Sequence, residues 1–268
     1  MTGLSKGTAC SLAAGGVNGG AFAPGRSVLE TIATKLSAIG LEQVVGVVAD
    51  FTKASHTTHL VDETVRRFCT LHLLVNSAGG IDSFSSFVEV GNDNWQALFD
   101  RNILSVVRTI RAALPYMPRQ KWGHIINIAS ESGIQLDAFI PHYNATKAGL
   151  TNVTKSLSEA FAADGIPVNA VSPALIMTPL PQAAVKRLVR EAKTSFQKAA
   201  QRIQADLRRR IEPKRTGRIT EVAVSSPISH RKRRCSLLGP ICALTAIRPL
   251  QFEIDEKDVG GCYNCGPL

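Results

Sequence analysis

No apolar run in this 268-residue chain approaches the roughly 18 residues that a membrane-spanning helix needs, which excludes a transmembrane helix. The stretch from Met1 to Gly20 carries one charge, Lys6. It lacks the basic start and apolar centre of a secretory signal, so a cytoplasmic protein is expected. Cysteine is scarce: there are six, with Cys10 and Cys69 far from Cys235, Cys242, Cys262 and Cys265, and that placing excludes a disulfide scaffold. Cys262 and Cys265 have the spacing of zinc ligands, but a structural site takes four and the neighbouring cysteines lie on no comparable knuckle. No metal is expected. Acidic residues are short as well, with 21 Asp and Glu against 31 Lys and Arg, for a net charge of +10. Nearly the whole excess falls between Leu180 and Arg218, where twelve basic residues face three acids. Only Phe196 interrupts that stretch with a ring on which a base could stack, so it reads as a solvated helix face before it reads as a nucleic-acid groove. No repeat of about 20 to 50 residues is visible.

What is present is a composition of 44% hydrophobic and 19% charged residues, which suits a globular α/β protein, and a set of ordered motifs. The central one is Tyr143-Asn144-Ala145-Thr146-Lys147. Four residues apart on a helix, a phenol and an ammonium lie on one face, and the cation favours the phenolate. Such a tyrosine can trade a proton with a carbonyl or an alcohol. Thirteen residues upstream, the apolar run His124 to Ala129 ends on Ser130, with Gly133 just beyond and Ser132 as a competing hydroxyl. Earlier still, the strand-like Leu71 to Val75 delivers Asn76-Ser77-Ala78-Gly79, and a long helical stretch from Asn94 to Leu114 contains Asn102. Val44 to Ala49 reads as a buried parallel strand ending at Asp50, His56 to Phe68 as a helix, and Val168 to Ser172 as a strand leading into Pro173-Ala174-Leu175-Ile176-Met177-Thr178.

The order and spacing of these motifs resemble the short-chain dehydrogenase/reductase family over about residues 27–223. The resemblance implies a Rossmann-like, doubly wound parallel sheet in a single domain and hydride transfer between NAD or NADP and a carbonyl or secondary alcohol. By the same resemblance Tyr143 is the acid-base residue, Lys147 lowers its pKa and holds the ribose, Ser130 polarises the substrate oxygen, and Asn102 maintains a proton relay. Asp50, Asn76, Ala78, Gly79, Pro173, Ile176 and Thr178, with Tyr143 and Lys147, would line the cofactor. A homodimer or homotetramer is implied too.

The two ends of the chain fit this pattern less well. Thr8 to Ala14 is expected as a short first strand, followed by a glycine-rich phosphate loop in which Gly15 and Gly19 approach the pyrophosphate. Counting forward from Gly20 leaves space for one helix, Ser27 to Gly40, before Val44, so the fold's first helix and second strand are expected to be missing. Past Ala223 stand Arg231-Lys232-Arg233-Arg234 and the late cysteines, which assigns residues 1–223 to the domain and 224–268 to a divergent basic tail. Two other functions therefore stay open, a catalytically impaired scaffold with weak cofactor affinity and a basic nucleic-acid-binding protein.

Overall fold

A computed structural model of the chain describes residues 3–14, 19–23, 30, 34, 38, 44–81, 83–117, 123–176, 185–186, 189–199, 201 and 217–224. Among the described residues, five strands and the helices between them follow in order: α1 (Gly3–Ala14), β1 (Gly19–Ala23), β2 (Val44–Val48), α2 (Ala54–Phe68), β3 (Leu73–Asn76), α3 (Asn92–Phe99), a π turn (Asp100–Leu104), α4 (Ser105–Ala113), β4 (His124–Ile128), α5 (Pro141–Ala160), β5 (Val168–Val171) and α6 (Ile219–Val224). β1 pairs with β2, and β3, β4 and β5 pair in that order, all in parallel. Parallel neighbours need a crossover between them, and the helices supply it, which gives the Rossmann-like α/β architecture.

The side chains of β4 alternate between two apolar layers. Ile125, with Ala129 just past the strand, faces a core built with Val61 of α2, Val106 and Ile110 of α4 and Leu150 of α5. Ile126 and Ile128 face the other way, against Val171 and the partly buried Leu4 of α1 and Val222 of α6. Helices on both faces explain why this strand is a continuous apolar run and not an alternating one.

At the amino-terminal side the structure overturns the expectation drawn from sequence. Thr8 to Ala14 belongs to a helix, not a strand; it is rich in Ala, Ser and Leu and has no β-branched run to favour an extended chain. Gly19 lies in β1, opposite Val44, and so is a strand residue and not part of a phosphate loop. Gly15 lies outside the described residues. The helix and strand expected to be missing are α1 and β1; the count had started one helix and one strand too late. Of the helix expected from Ser27 to Gly40, Glu30 and Thr34 are helical, with the Ala38 amide donating to the Thr34 carbonyl at 3.1 Å. The basic tail, with Arg231 to Arg234 and the late cysteines, lies outside the described residues, as does most of the basic stretch from Leu180 to Arg218.

The stretch expected as one helix from Asn94 to Leu114 runs continuously but is widened by the π turn, with Asn102 inside it. π turns occur mostly as single insertions in α-helices and often at functional sites. Among the described residues no helix is long and apolar enough to cross a membrane, and no cluster of His, Cys, Asp or Glu is arranged to hold a metal ion.

Candidate active site

The site forms at the carboxyl ends of β3 and β4, to which α5 is tied through Lys147 and Thr146. Lys147 is almost wholly buried, and its Nζ donates to the carbonyl of Ile128 at 2.9 Å, the last residue of β4. The same Nζ stands 5.7 Å from the centroid of the Tyr143 ring, one turn earlier on α5. Burial disfavours the ammonium and lowers its pKa from 10.5 to about 8. Tyr143 is only partly buried, which leaves its face of the helix within reach of a ligand.

Asn102 is fully buried and spends its amide on the backbone that follows β3. Its Oδ1 accepts from the Gly80 amide at 3.0 Å, and its Nδ2 donates to the Gly80 carbonyl and to the Thr146 hydroxyl, each at 3.0 Å. Thr146 precedes Lys147, so one side chain ties the turn after β3 to the helix that carries the lysine. Gly79 completes the joint. Its φ of +144° is one that L side chains rarely adopt, and a Cβ there would lie 2.9 Å from Asn102 Oδ1 and 3.6 Å from Lys147 Nζ.

Ser130 caps a short 3₁₀ turn (Glu131–Gly133), its Oγ accepting from the Ser132 amide at 3.2 Å. Ser132 itself is buried, and Ser130 is partly exposed. Gly133 presses on α5 so closely that a Cβ would stand 2.8 Å from the Lys147 carbonyl carbon and from the Ala148 amide nitrogen. The Glu131 amide donates to the Pro173 carbonyl at 3.0 Å, which brings the segment after β5 alongside Ser130. Ile176 makes a bridge to Gly217, and Thr178 lies outside the described residues.

Beneath the site runs a buried polar chain. Asn76 Nδ2 donates to Asn127 Oδ1, and Asn127 Nδ2 to Thr154 Oγ1, both at 2.9 Å, with all three residues buried. Asp50 stands apart from these groups: its Oδ1 accepts from the amide and hydroxyl of Thr52, which opens the turn into α2 and lowers its pKa. Sequence reasoning missed Gly80, Thr146 and Asn127. The only signals for them were a Gly-Gly pair after a strand and polar residues at positions that face inward.

Also missed was Ser5, in the first turn of α1. Its hydroxyl reaches the Ser77 carbonyl at 3.1 Å and the Ser77 hydroxyl at 2.9 Å, which sets the positive end of α1 beside the turn carrying Asn76, Ala78 and Gly79.

The family model described as short chain dehydrogenase matches residues 1–189. The chain belongs to that family. The match starts ahead of residue 27, which agrees with α1 and β1 being part of the fold. An uncharacterised oxidoreductase of Staphylococcus saprophyticus is 39% identical over 133 residues, which cover 50% of this chain and 56% of that protein. A 3-oxoacyl-[acyl-carrier-protein] reductase of Synechocystis is 33% identical over 180 residues, 66% of this chain and 71% of that one. In three dimensions the short-chain dehydrogenase fold superposes on L-sorbose reductase from Gluconobacter frateurii, solved with NADPH and L-sorbose. The TM-score is 0.77, with 26% identity and 83% of each chain covered. The chain spans little more than half the length of the Staphylococcus relative.

Proposed function

We propose that this protein is an NAD(P)-dependent oxidoreductase that interconverts a carbonyl and a secondary alcohol. The observation that carries the reading is the joint of Gly79, Asn102 and Lys147, where a side chain on the glycine would meet both partners. The cofactor fits the residues present: the first turn of α1, where backbone amides favour an anion, is held beside the turn after β3 by the Ser5 hydroxyl on Ser77. Asn76, Ala78 and Gly79, with Tyr143, Lys147, Pro173, Ile176 and Thr178, would hold it, and the nicotinamide supplies or accepts the hydride. Gly19 is withdrawn from this set because it lies in a strand, and Asp50 serves its own turn.

The chain's own residues handle the proton. In the reducing direction the Tyr143 hydroxyl gives its proton to the carbonyl oxygen, and the Ser130 hydroxyl donates a hydrogen bond to that oxygen as charge develops on it. Lys147, ionised below about pH 8 and held by the Ile128 carbonyl, favours the phenolate that remains. Asn102 keeps Lys147 and the turn after β3 in register, and its Oδ1, with two lone pairs and one protein donor, retains an acceptor position for a relay. We place the protein in the cytoplasm as a homodimer or homotetramer, with residues 1–223 as the catalytic domain and 224–268 as a basic tail. Its small-molecule relatives give the scaffold and nucleic-acid readings no support.

The test is a fluorescence titration with NADH and NADPH, followed by a panel of alcohols and ketones. We expect binding of at least one cofactor and turnover of at least one substrate. Tyr143→Phe should cut turnover by about 10² to 10⁴ in a protein that stays folded and still binds cofactor. Full turnover in a folded Tyr143→Phe protein would end the assignment.

A further inference from the structure

The two loops at the mouth of this site have their polarity reversed. In the loop from Ser130 to Tyr143, Asp137 is buried, while Ile134, Leu136 and Phe139 are 61, 74 and 61% exposed. In the loop that follows β3, Phe84, Phe87 and Val88 are 61, 68 and 88% exposed. The loops are joined directly, the Ser85 amide donating to the Phe139 carbonyl at 2.8 Å. Both are fixed by specific contacts. Asp137 Oδ1 accepts from the Phe139 amide at 2.9 Å, and its carbonyl accepts from Asn144 Nδ2 at 2.8 Å, one residue past Tyr143. Phe87 meets Trp95 edge-on at 6.3 Å, and Trp95 meets His142 at 6.0 Å, the residue before Tyr143.

Folding alone runs the other way. A buried carboxylate and six large apolar side chains in water both cost solvation free energy, and the informative exceptions to the usual partition are a buried polar group and a contiguous exposed apolar patch. Here the exceptions share two loops: one joins Ser130 to Tyr143, and the other, between β3 and α3, is tied to it at Phe139 and reaches His142, beside Tyr143, through Phe87 and Trp95. Asp137 holds the chain inward through its turn and thereby leaves its neighbours facing out.

We propose that this patch binds the apolar body of the substrate, so that the enzyme acts on carbonyls or secondary alcohols bearing a hydrocarbon chain or ring and not on small polar ones. The inference rests on the oxidoreductase reading only for the identity of the reacting group. Each methylene laid on the patch should raise affinity about fourfold until the patch is covered.

The experiment uses the full chain and a homologous series from 2-butanone to 2-decanone. Dissociation constants are read by calorimetry, and kcat/KM is read with NADPH and with NADH. We expect affinity to climb with chain length in the wild type and to climb far less in a Leu136→Ser, Phe139→Ser double variant. Its kcat/KM for 2-decanone should drop at least tenfold relative to that for 2-butanone. Both side chains are exposed, so the variant should keep its fold, checked by circular dichroism. Turnover of 2-butanone with no dependence on chain length in either readout would overturn the proposal and leave the oxidoreductase reading standing. An unchanged slope in the variant, with a fall in molecular mass by light scattering, would assign the patch to contact between subunits and also overturn it. A slope that is lost in the variant, with no cofactor bound and no turnover, would support the apolar site and overturn the oxidoreductase reading instead.

Discussion

β4 and β2 are both short apolar parallel strands that end at a charged group, and they are built under different constraints. β4 is buried on both faces, from Ile125 through Ile128. β2 alternates: Val47 is buried, while Gly46 and Val48 are exposed. The charge at the end of β4 is Lys147, out of water and bonded to the Ile128 carbonyl; the charge after β2 is Asp50, partly exposed and bonded to Thr52. A strand covered on both sides can hold polar groups without competition from solvent, as with the Asn76, Asn127 and Thr154 chain, and can therefore set the position of a reacting side chain. A strand with one wet face supports the sheet and tolerates change.

The contrast can be broken in four ways. Ile126→Ala should be the most damaging, since it opens a cavity between β4 and the layer formed by α1 and α6; we expect a loss of about 2 to 5 kcal/mol in urea unfolding. Lys147 comes next, through pH. Its pKa is about 8 in the folded chain against 10.5 for the free side chain, so unfolding takes up a proton between those values and stability rises with pH across that window. Below about pH 8 the cost of the buried charge is fully present, on the order of 3 kcal/mol as an upper bound. Unfolding curves at pH 7.5 and 10 should show that rise in the wild type and a flatter response in Lys147→Met. Gly133→Ala should cost about 1 to 3 kcal/mol, because the new methyl meets backbone of α5 and not a movable side chain, and should lower kcat by shifting Ser130. The smallest effect belongs to β2: Val48→Ala, on its exposed face, should change the melting free energy by less than about 1 kcal/mol. Equal sensitivity at Ile126 and Val48 would dissolve the distinction.

The parts of the site carried by chemically specific side chains were legible in sequence. Tyr143, Lys147, Ser130 and Asn102 are residue types with few reasons to recur at those intervals, and the structure brings Lys147 to Tyr143 and Asn102 to Gly79 and Thr146. The stretch from Gly3 to Ala23 was not legible. Glycine and alanine occupy helix and strand alike there, and what places α1 is tertiary: Ser5 meeting Ser77 and Leu4 packing beneath β4, neither of which has a local signature. The reversed polarity of the loop from Ile134 to Phe139 was hidden for a related reason. Composition shows that Leu136 and Phe139 are apolar, but only the fold shows that they face out.

α1 also constrains how the protein comes into being. Gly7 approaches the Ile219 side chain too closely for any Cβ, and Val222 and Leu4 meet on the same apolar layer. Those partners are separated by about two hundred residues of chain, a highly non-local contact of the kind that slows folding. At ribosomal rates of about 5 to 20 residues per second, the interval between their syntheses is roughly 10 to 40 seconds. Throughout that interval the nascent chain carries the apolar side of α1 without the partner that covers it in the finished fold.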